Sequence, residues 1–560
     1  MTQHFSDLHP PRPERAALDA AYAQIRRDLD AGTAEARAGA FARWDRERRL
    51  FESWCSLAQL RFSQDTTSET AKADRDHADR LAPEATRLDV EIKRRLLAEP
   101  DRARLEAELG AHRVRLWETD VTTFEPAIAP ALEEEARLAA DYTALLASAR
   151  LKVGGEEVNL SGLAPFQESL DRDTRHVAEQ ARWSFFAGHG ARLDELFDQL
   201  VHLRHGMART LGFDSYTTLG YRRMRRVDYG PGQVAAFRAQ VLEHVVPLVG
   251  RLLEQRRAAQ GWERLQAWDE SLVDPLGNPR PAGGHDLLVE RAQTMFDRMG
   301  DGFSGFFRQM NEGGFLDLRN RPGKAGGGFC TSFPDVGWPF IFANFNGTNH
   351  DITVFTHEMG HALQNWMSRD LGSIDVLWPT MEAAEINSMG LEFLTWPHMD
   401  LMVEEGAAER FRRMHLVTSL AFLPYGVCVD HFQHEIYANP DMDPAARHAL
   451  WQRLERLYMP WRDWGDLDYP AKGGRWQAQL HIYRAPFYYI DYTLALCVAM
   501  QLWLLSRTNP ELATARYLSL CARGGSAAFS DLVNEAGLVS PFAEGALAGV
   551  VQEAAAFLEL

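Results

Sequence analysis

Asp351–Asp370 reads DITVFTHEMGHALQNWMSRD, and at its centre stands His357-Glu358-Met359-Gly360-His361. On a helix, side chains four residues apart lie on one face, one turn above the other. Both imidazoles can then reach one metal ion. Glu358 is turned off that face by about 100°, beside the ion rather than on it, where its carboxylate can hold a water. Two imidazoles at this spacing with this acid form a zinc-site motif whose Glu acts as general base. Ile352, Val354, Phe355, Met359, Ala362, Leu363 and Trp366 give the helix enough apolar surface to be buried. Asn349 and Asp351 can cap its start, and Gly372 can stop it. Gly360 costs such a helix about 1 kcal/mol relative to Ala, which implies that another backbone or a ligand comes close there.

The third ligand sets the class of site. The continuation HExxHxxGxxH fails, because Gln364 and Met367 stand at its last two fixed positions. A second helix opens at Pro379-Thr380, with Thr380 as N-cap, runs through Leu394 and stops at Pro397. It offers Glu382, Glu385 and Glu392. Glu382 sits in the first turn, where the helix dipole alone explains an acid. Glu385 and Glu392 are seven apart and share a face. Glu385 is read as the ligand and Glu392 as the acid that orients a ligand histidine. His431-Phe432-Gln433-His434-Glu435 is a rival pair, but nothing nearby completes it. It is expected to pair within the fold.

The segments HEMGHALQNW, AAEINSMGLEF and HIYRAPFYYIDY, in that order, resemble the oligoendopeptidase F and thimet oligopeptidase family. Within it the resemblance is nearest the branch of the collagen-peptide-cleaving Pz-peptidases. It runs from about Val158 and is strongest from Gly323 to Tyr492. It implies that the first Glu of an E-x6-E pair, here Glu385, is a zinc ligand. It also implies that His481, Tyr489 and Tyr492 bind substrate and stabilise the oxyanion. The spacing of the tyrosines departs from the thimet type, so Tyr488 or Tyr483 can hold either tyrosine role. Close relatives of this kind enclose the site in a deep channel that admits peptides.

The 560 residues carry a net charge of −18, which argues against nucleic acid or an anionic membrane as partner. Cys55, Cys330, Cys428, Cys497 and Cys521 are few and scattered, as in a reducing, cytoplasmic compartment. The N-terminus has no basic-then-apolar signal pattern. The run Phe487 to Leu505 contains Asp491 and Gln501 and is read as a buried helix rather than a membrane span.

Helical composition marks Ala16–Leu29, Ala34–Arg61, Ser68–Arg80, Leu163–Phe186, His189–Leu211 and Gly232–Gln260. A Gly-Gly hairpin is expected at Leu151–Val158 and a surface loop at Asp274–Gly284. Gly323–Thr331 lacks the ending of a phosphate loop. It leads into two strands, Phe329–Phe333 and Pro339–Phe345, whose edge can take a peptide backbone.

The reading is therefore a mainly α, bilobal helical zincin-type metallopeptidase with a small active-site β-sheet and a deep substrate channel. Residues 1–160 form an N-terminal helical region and 161–560 the catalytic region. One Zn2+ is held by His357, His361 and Glu385. Glu358 is the base, and His481, Tyr489 and Tyr492 complete the catalytic set. The substrates are oligopeptides, cut internally. Oligomeric state stays open. Two alternatives are a zinc carboxypeptidase, with Arg484 as the group that captures a C-terminal carboxylate, and a non-catalytic peptide-binding protein.

Overall fold

The computed structural model describes residues 3–321 and 323–560. The chain is mainly helical with two small sheets. The N-terminal helices Arg15–Asp30, α1 (Ala34–Gln64) and α2 (Glu69–Leu97) begin after polar residues. The side chains of Thr33 and Ser68 accept from the main-chain N–H groups of Ala36 and Ala71, each supplying one of the bonds a helix start lacks. α2 runs well past its predicted end at Arg80 and carries Pro83 inside it. Leu81, Leu88, Ile92 and Leu96 form one buried stripe through the proline. Burial of that stripe outweighs the lost backbone bond, about 3 kcal/mol. Its Leu88, Ile92 and Leu96 join Trp44 and Trp117 in a core of their own.

Two further expectations are corrected. The helices predicted at Leu163–Phe186 and His189–Leu211 are joined from Arg172 on into one, α3 (Arg172–Thr210), with a separate short helix at Ala164–Gln167 before it. Gly188 does not stop it, and Gly190 is there because a Cβ would lie 2.6 Å from the Tyr469 hydroxyl. The segment Gly232–Gln260 is interrupted by a π-turn at Val241–Val245, between helices Pro231–Gln240 and Val246–Ala259. Pro247 follows that turn and has no N–H to give, so the helix widens where a regular turn would clash.

The hairpin β1 (Leu151–Val153) and β2 (Glu156–Val158) turns on Gly154 and Gly155, with φ of 61° and 84°. Positive φ at both positions is what a two-residue hairpin turn with the right twist demands. The second sheet has the order β3 (Leu316–Arg319), β5 (Trp338–Phe345), β4 (Phe329–Phe333), with β3 parallel and β4 antiparallel to β5. Among the described residues no strand pairs with the far edge of β4.

Helix α4 (His350–Ser368) packs on β4 and β5, and its other side packs on α5 (Met381–Leu394). α5 in turn lies along α7 (Tyr489–Thr508), which also meets α6 (Ala408–Ala438) and α8 (Pro510–Arg523). α7 is long and apolar enough to cross a membrane, but two-thirds of it is buried inside the fold. Its Asp491 pairs with Arg226. Gly360 explains the α4–α5 spacing: a Cβ there would stand 2.3 Å from the Asn387 carbonyl oxygen. The close backbone approach expected from that glycine is present.

Candidate metal centre and substrate wall

α4 and α5 bring His357, His361 and Glu385 to one point. Glu385 Oε2 lies 3.1 Å from His357 Nε2 and 3.3 Å from His361 Nε2. In a tetrahedron with bonds of about 2.0–2.1 Å, neighbouring ligand atoms stand roughly 3.3 Å apart. The donor set therefore fits one zinc ion and leaves its fourth position open. No other such His, Cys, Asp and Glu group occurs among the described residues. The electrostatics favour positive charge at this point. Burial pushes His357 down, yet its bonds to Glu385 and Glu392 hold it well above an ordinary histidine. Glu385 is 1 % exposed, and against the cost of that burial the two histidines hold it well below the usual carboxylate range.

Two of the three candidate ligands, Glu385 and His357, are held from behind by hydrogen bonds. Glu385 Oε2 accepts from Ser388 Oγ at 2.6 Å, and Oε1 accepts from the Tyr488 hydroxyl at 2.5 Å. His357 Nδ1 is 2.7 Å from Glu392 Oε1, the role expected for Glu392. Glu392 Oε2 also meets His415 Nε2 at 2.7 Å, and Trp396 Nε1 donates to His415 Nδ1 at 3.3 Å. An indole N–H can only donate, so His415 carries its proton on Nε2 and gives that bond to Glu392. His361 Nδ1 has no partner among the described residues, and its ring packs against Trp378 instead.

Glu358 is buried beside this centre. Burial raises its carboxyl above the ordinary value, while His357 and His361 pull it down. Gly328, just before β4, lies against it: a Cβ there would be 3.7 Å from Glu358 Oε1 and 2.8 Å from Val354 Cγ1. The glycines ahead of β4 thus open space at the base.

The opposing wall comes from Leu480–Arg484 and the start of α7. Phe487, fully buried, has φ of 66°, a conformation that costs a side-chain-bearing residue roughly 1–2 kcal/mol. Gln433 Oε1 accepts from its N–H at 2.8 Å and Arg226 donates to its carbonyl at 2.6 Å. This bend sets the phase of the tyrosines that follow. Tyr488 and Tyr492, four apart, face Glu385, with ring centroids 4.9 Å from each other. Tyr489 points elsewhere, packed on Phe422 and Tyr425 at 5.5 and 5.7 Å and on His481 at 4.9 Å. Of the two tyrosines expected here, Tyr492 faces the centre and Tyr489 supports His481. Tyr483 is buried, stacked on Tyr142. His481 Nε2 is 3.5 Å from the Tyr492 hydroxyl. Burial, with Arg484, pushes His481 down to about 4.

The remaining candidates lie apart from the centre. His431 meets the Tyr458 hydroxyl and His434 the Tyr221 hydroxyl, pairing within the fold as expected. Glu382 stands in the first turn of α5, where the sequence puts it. It is 0 % exposed, and burial pushes it up to about 7.

A two-histidine helix and a glutamate helix converging on one point define the gluzincin class of metal site. The chain belongs to peptidase family M3: that family's model matches residues 166–275 and 297–551, and the model of the Peptidase M3 N-terminal domain matches 5–124. A 3.1 Å X-ray structure provisionally assigned as an oligoendopeptidase F is 43 % identical, with a TM-score of 0.97, covering 100 % of this chain and 99 % of that one. A Pz peptidase A crystallised with an inhibitor is 41 % identical, with a TM-score of 0.96 and 99 % of each chain covered. Among curated proteins, an oligoendopeptidase F homolog of Lactococcus lactis subsp. lactis (strain IL1403) is 22 % identical over 203 residues, 36 % of this chain. The match spans only about a third of that relative's length (33 %).

Proposed function

We propose that the protein is a zinc-dependent endopeptidase that hydrolyses internal bonds of oligopeptides. The observation that carries this is Glu385 Oε2 at 3.1 and 3.3 Å from the two Nε2 atoms, with Glu358 buried beside them. The oligopeptide size class is supported by family membership and by the names of the relatives. The five unpaired cysteines support a cytoplasmic setting.

His357, His361 and Glu385 would hold the ion, which when bound polarises the peptide carbonyl and acidifies a water. Glu358 takes the proton from the attacking water, and its raised carboxyl suits a group that must then pass the proton to the leaving amine. Tyr492 and His481 form the wall of donors for the oxygen on which charge develops, while Tyr488 spends its one hydroxyl hydrogen on Glu385 and holds that ligand in place. The edge of β4 is the place for substrate backbone. This gives the donor role to Tyr492, with Tyr488 behind the ligand Glu385 and Tyr489 behind His481.

A peptide blocked at both ends tests the reading. Chelation should abolish its cleavage and zinc should restore it. Glu358→Gln should keep the zinc and lose at least about 10² to 10⁴ in turnover. Cleavage only of free C-termini would favour the carboxypeptidase alternative. Zinc binding with no turnover of any peptide would favour a binding protein.

A further inference from the structure

His481 lies at the end of a hydrogen-bond chain whose direction is fixed. Arg475 Nη1 donates to the Tyr425 hydroxyl oxygen at 3.3 Å. The Tyr425 hydroxyl donates to Gln479 Oε1 at 2.6 Å. Gln479 Nε2 is 2.8 Å from His481 Nδ1. A guanidinium has donors only. Tyr425 therefore accepts at that end and spends its single hydrogen on Gln479. An amide oxygen can only accept, so Gln479 is held with its NH2 toward His481. That NH2 can only donate, so Nδ1 must offer its lone pair. The one proton of the neutral ring is then on Nε2, the nitrogen that faces Tyr492.

The surroundings keep this chain in place. The Arg475 guanidinium stands over the Tyr425 ring at 4.3 Å. Tyr489 packs against both Tyr425 and His481. Burial keeps the His481 ring neutral at ordinary pH.

We propose that Arg475, Tyr425 and Gln479 are positioning residues that hold His481 as its Nε2–H tautomer, so that it donates a hydrogen bond to the substrate carbonyl oxygen and does not serve as a base. This rests on the peptidase reading of the site. Arg475 sets the polarity, Tyr425 passes it on and Gln479 presents it to the ring. None of the three needs to touch substrate.

Tyr425→Phe and Gln479→Met, made in the full chain, test it. With the hydroxyl gone, the Gln479 amide can turn over and offer its oxygen to Nδ1. Each variant should lower kcat by about tenfold or more, short of the 10² to 10³ for deleting an oxyanion donor, with KM changed less than about twofold. In a His481→Ala background the same substitutions should change kcat by less than about twofold, because they act only through the ring. Wild-type kcat in both single variants, or undiminished losses in the His481→Ala background, overturns the proposal. Nitrogen NMR of ¹⁵N-histidine-labelled protein, with the His481 signals found by difference from His481→Ala, reads the ring directly. A pyrrole-type Nε2 and a pyridine-type Nδ1 are expected, mixed or reversed in Tyr425→Phe. A pyrrole-type Nδ1 in the wild type overturns the relay. A wild-type kcat in His481→Ala would instead overturn the donor role, and the nitrogen pattern would still decide the relay by itself. Should Gln479→Met fail to fold, Tyr425→Phe, which keeps its ring, carries the test.

Discussion

Tyr488 and Tyr489 are adjacent in the chain, yet only one reaches the metal centre. The Tyr488 hydroxyl donates to Glu385, whereas Tyr489 packs on Phe422 and Tyr425. Tyr488→Phe, which removes the bond that holds Glu385, should lower activity by about 10- to 100-fold, and Tyr489→Phe much less. Steady-state kinetics on one blocked peptide decide it, and equal losses would remove the distinction. Glu382 gives a second prediction, in stability. Its folded pKa of about 7 lies above its unfolded value near 4.5. Between those values the folded state keeps a proton that the unfolded state has lost, so stability falls as pH rises through that window. Glu382→Gln removes the burden. Its melting temperature should match the wild type below about pH 4.5 and exceed it above about pH 7. A constant difference across that range would mean the carboxyl does not titrate there. The two candidate histidine ligands could be read in the sequence because helical spacing puts them on one face, whereas Glu385, on another helix, had to be chosen among three acids and through the resemblance. The tyrosine phase could not be read, since it depends on the positive φ of Phe487, which Gln433 and Arg226 hold from other elements.

Helices α4 and α5 meet backbone to backbone at Gly360, where a Cβ would stand 2.3 Å from Asn387 O and 2.6 Å from Ser388 Cα. Alanine is the better helix former by about 1 kcal/mol, so propensity predicts that Gly360→Ala stabilises. The contact predicts the reverse. α5 must move away, at roughly 1–3 kcal/mol, and Glu385 moves with it. Gly360→Ala should melt lower and bind zinc more weakly, as thermal denaturation and a zinc titration would show. A higher melting temperature would sink the argument. The glycine was legible as a close approach because its cost in a helix needs a reason. His415 was not legible: it serves Glu392 from α6, and no spacing in the chain links the two. Gln479 and Tyr425 escaped for the same reason, since their meaning lies in a chain of bonds across two elements.

Across the whole molecule, the N-terminal helices dock on the catalytic part through buried charge. Arg48 on α1 pairs with Asp375, in the turn between α4 and α5, at 2.7 Å. Lys93 on α2 pairs with Asp120 at 2.9 Å, and Arg225 forks onto the same Asp120. Burial would push Asp375 up, but Arg48, Lys93 and Arg225 hold it far below the ordinary range. The helices themselves were legible from their composition. Their lengths were not: α2 runs on through Pro83 and α3 through Gly188, on stripes that are satisfied only in the packed molecule. The open edge of β4 has one more consequence. A strand offers its hydrogen bonds to a neighbour from every second residue only. A peptide laid along β4 would therefore be read with an odd–even rhythm. Placing a single N-methyl group at successive positions of a substrate should raise KM at alternate residues and spare those between. A loss that grew smoothly toward the cut bond, without that alternation, would mean that the strand edge does not hold the substrate. With the alternation present, a slip of one residue exchanges the two sets and turns every side chain to the other face, so the protein would choose its cut sites by parity as well as by side chain.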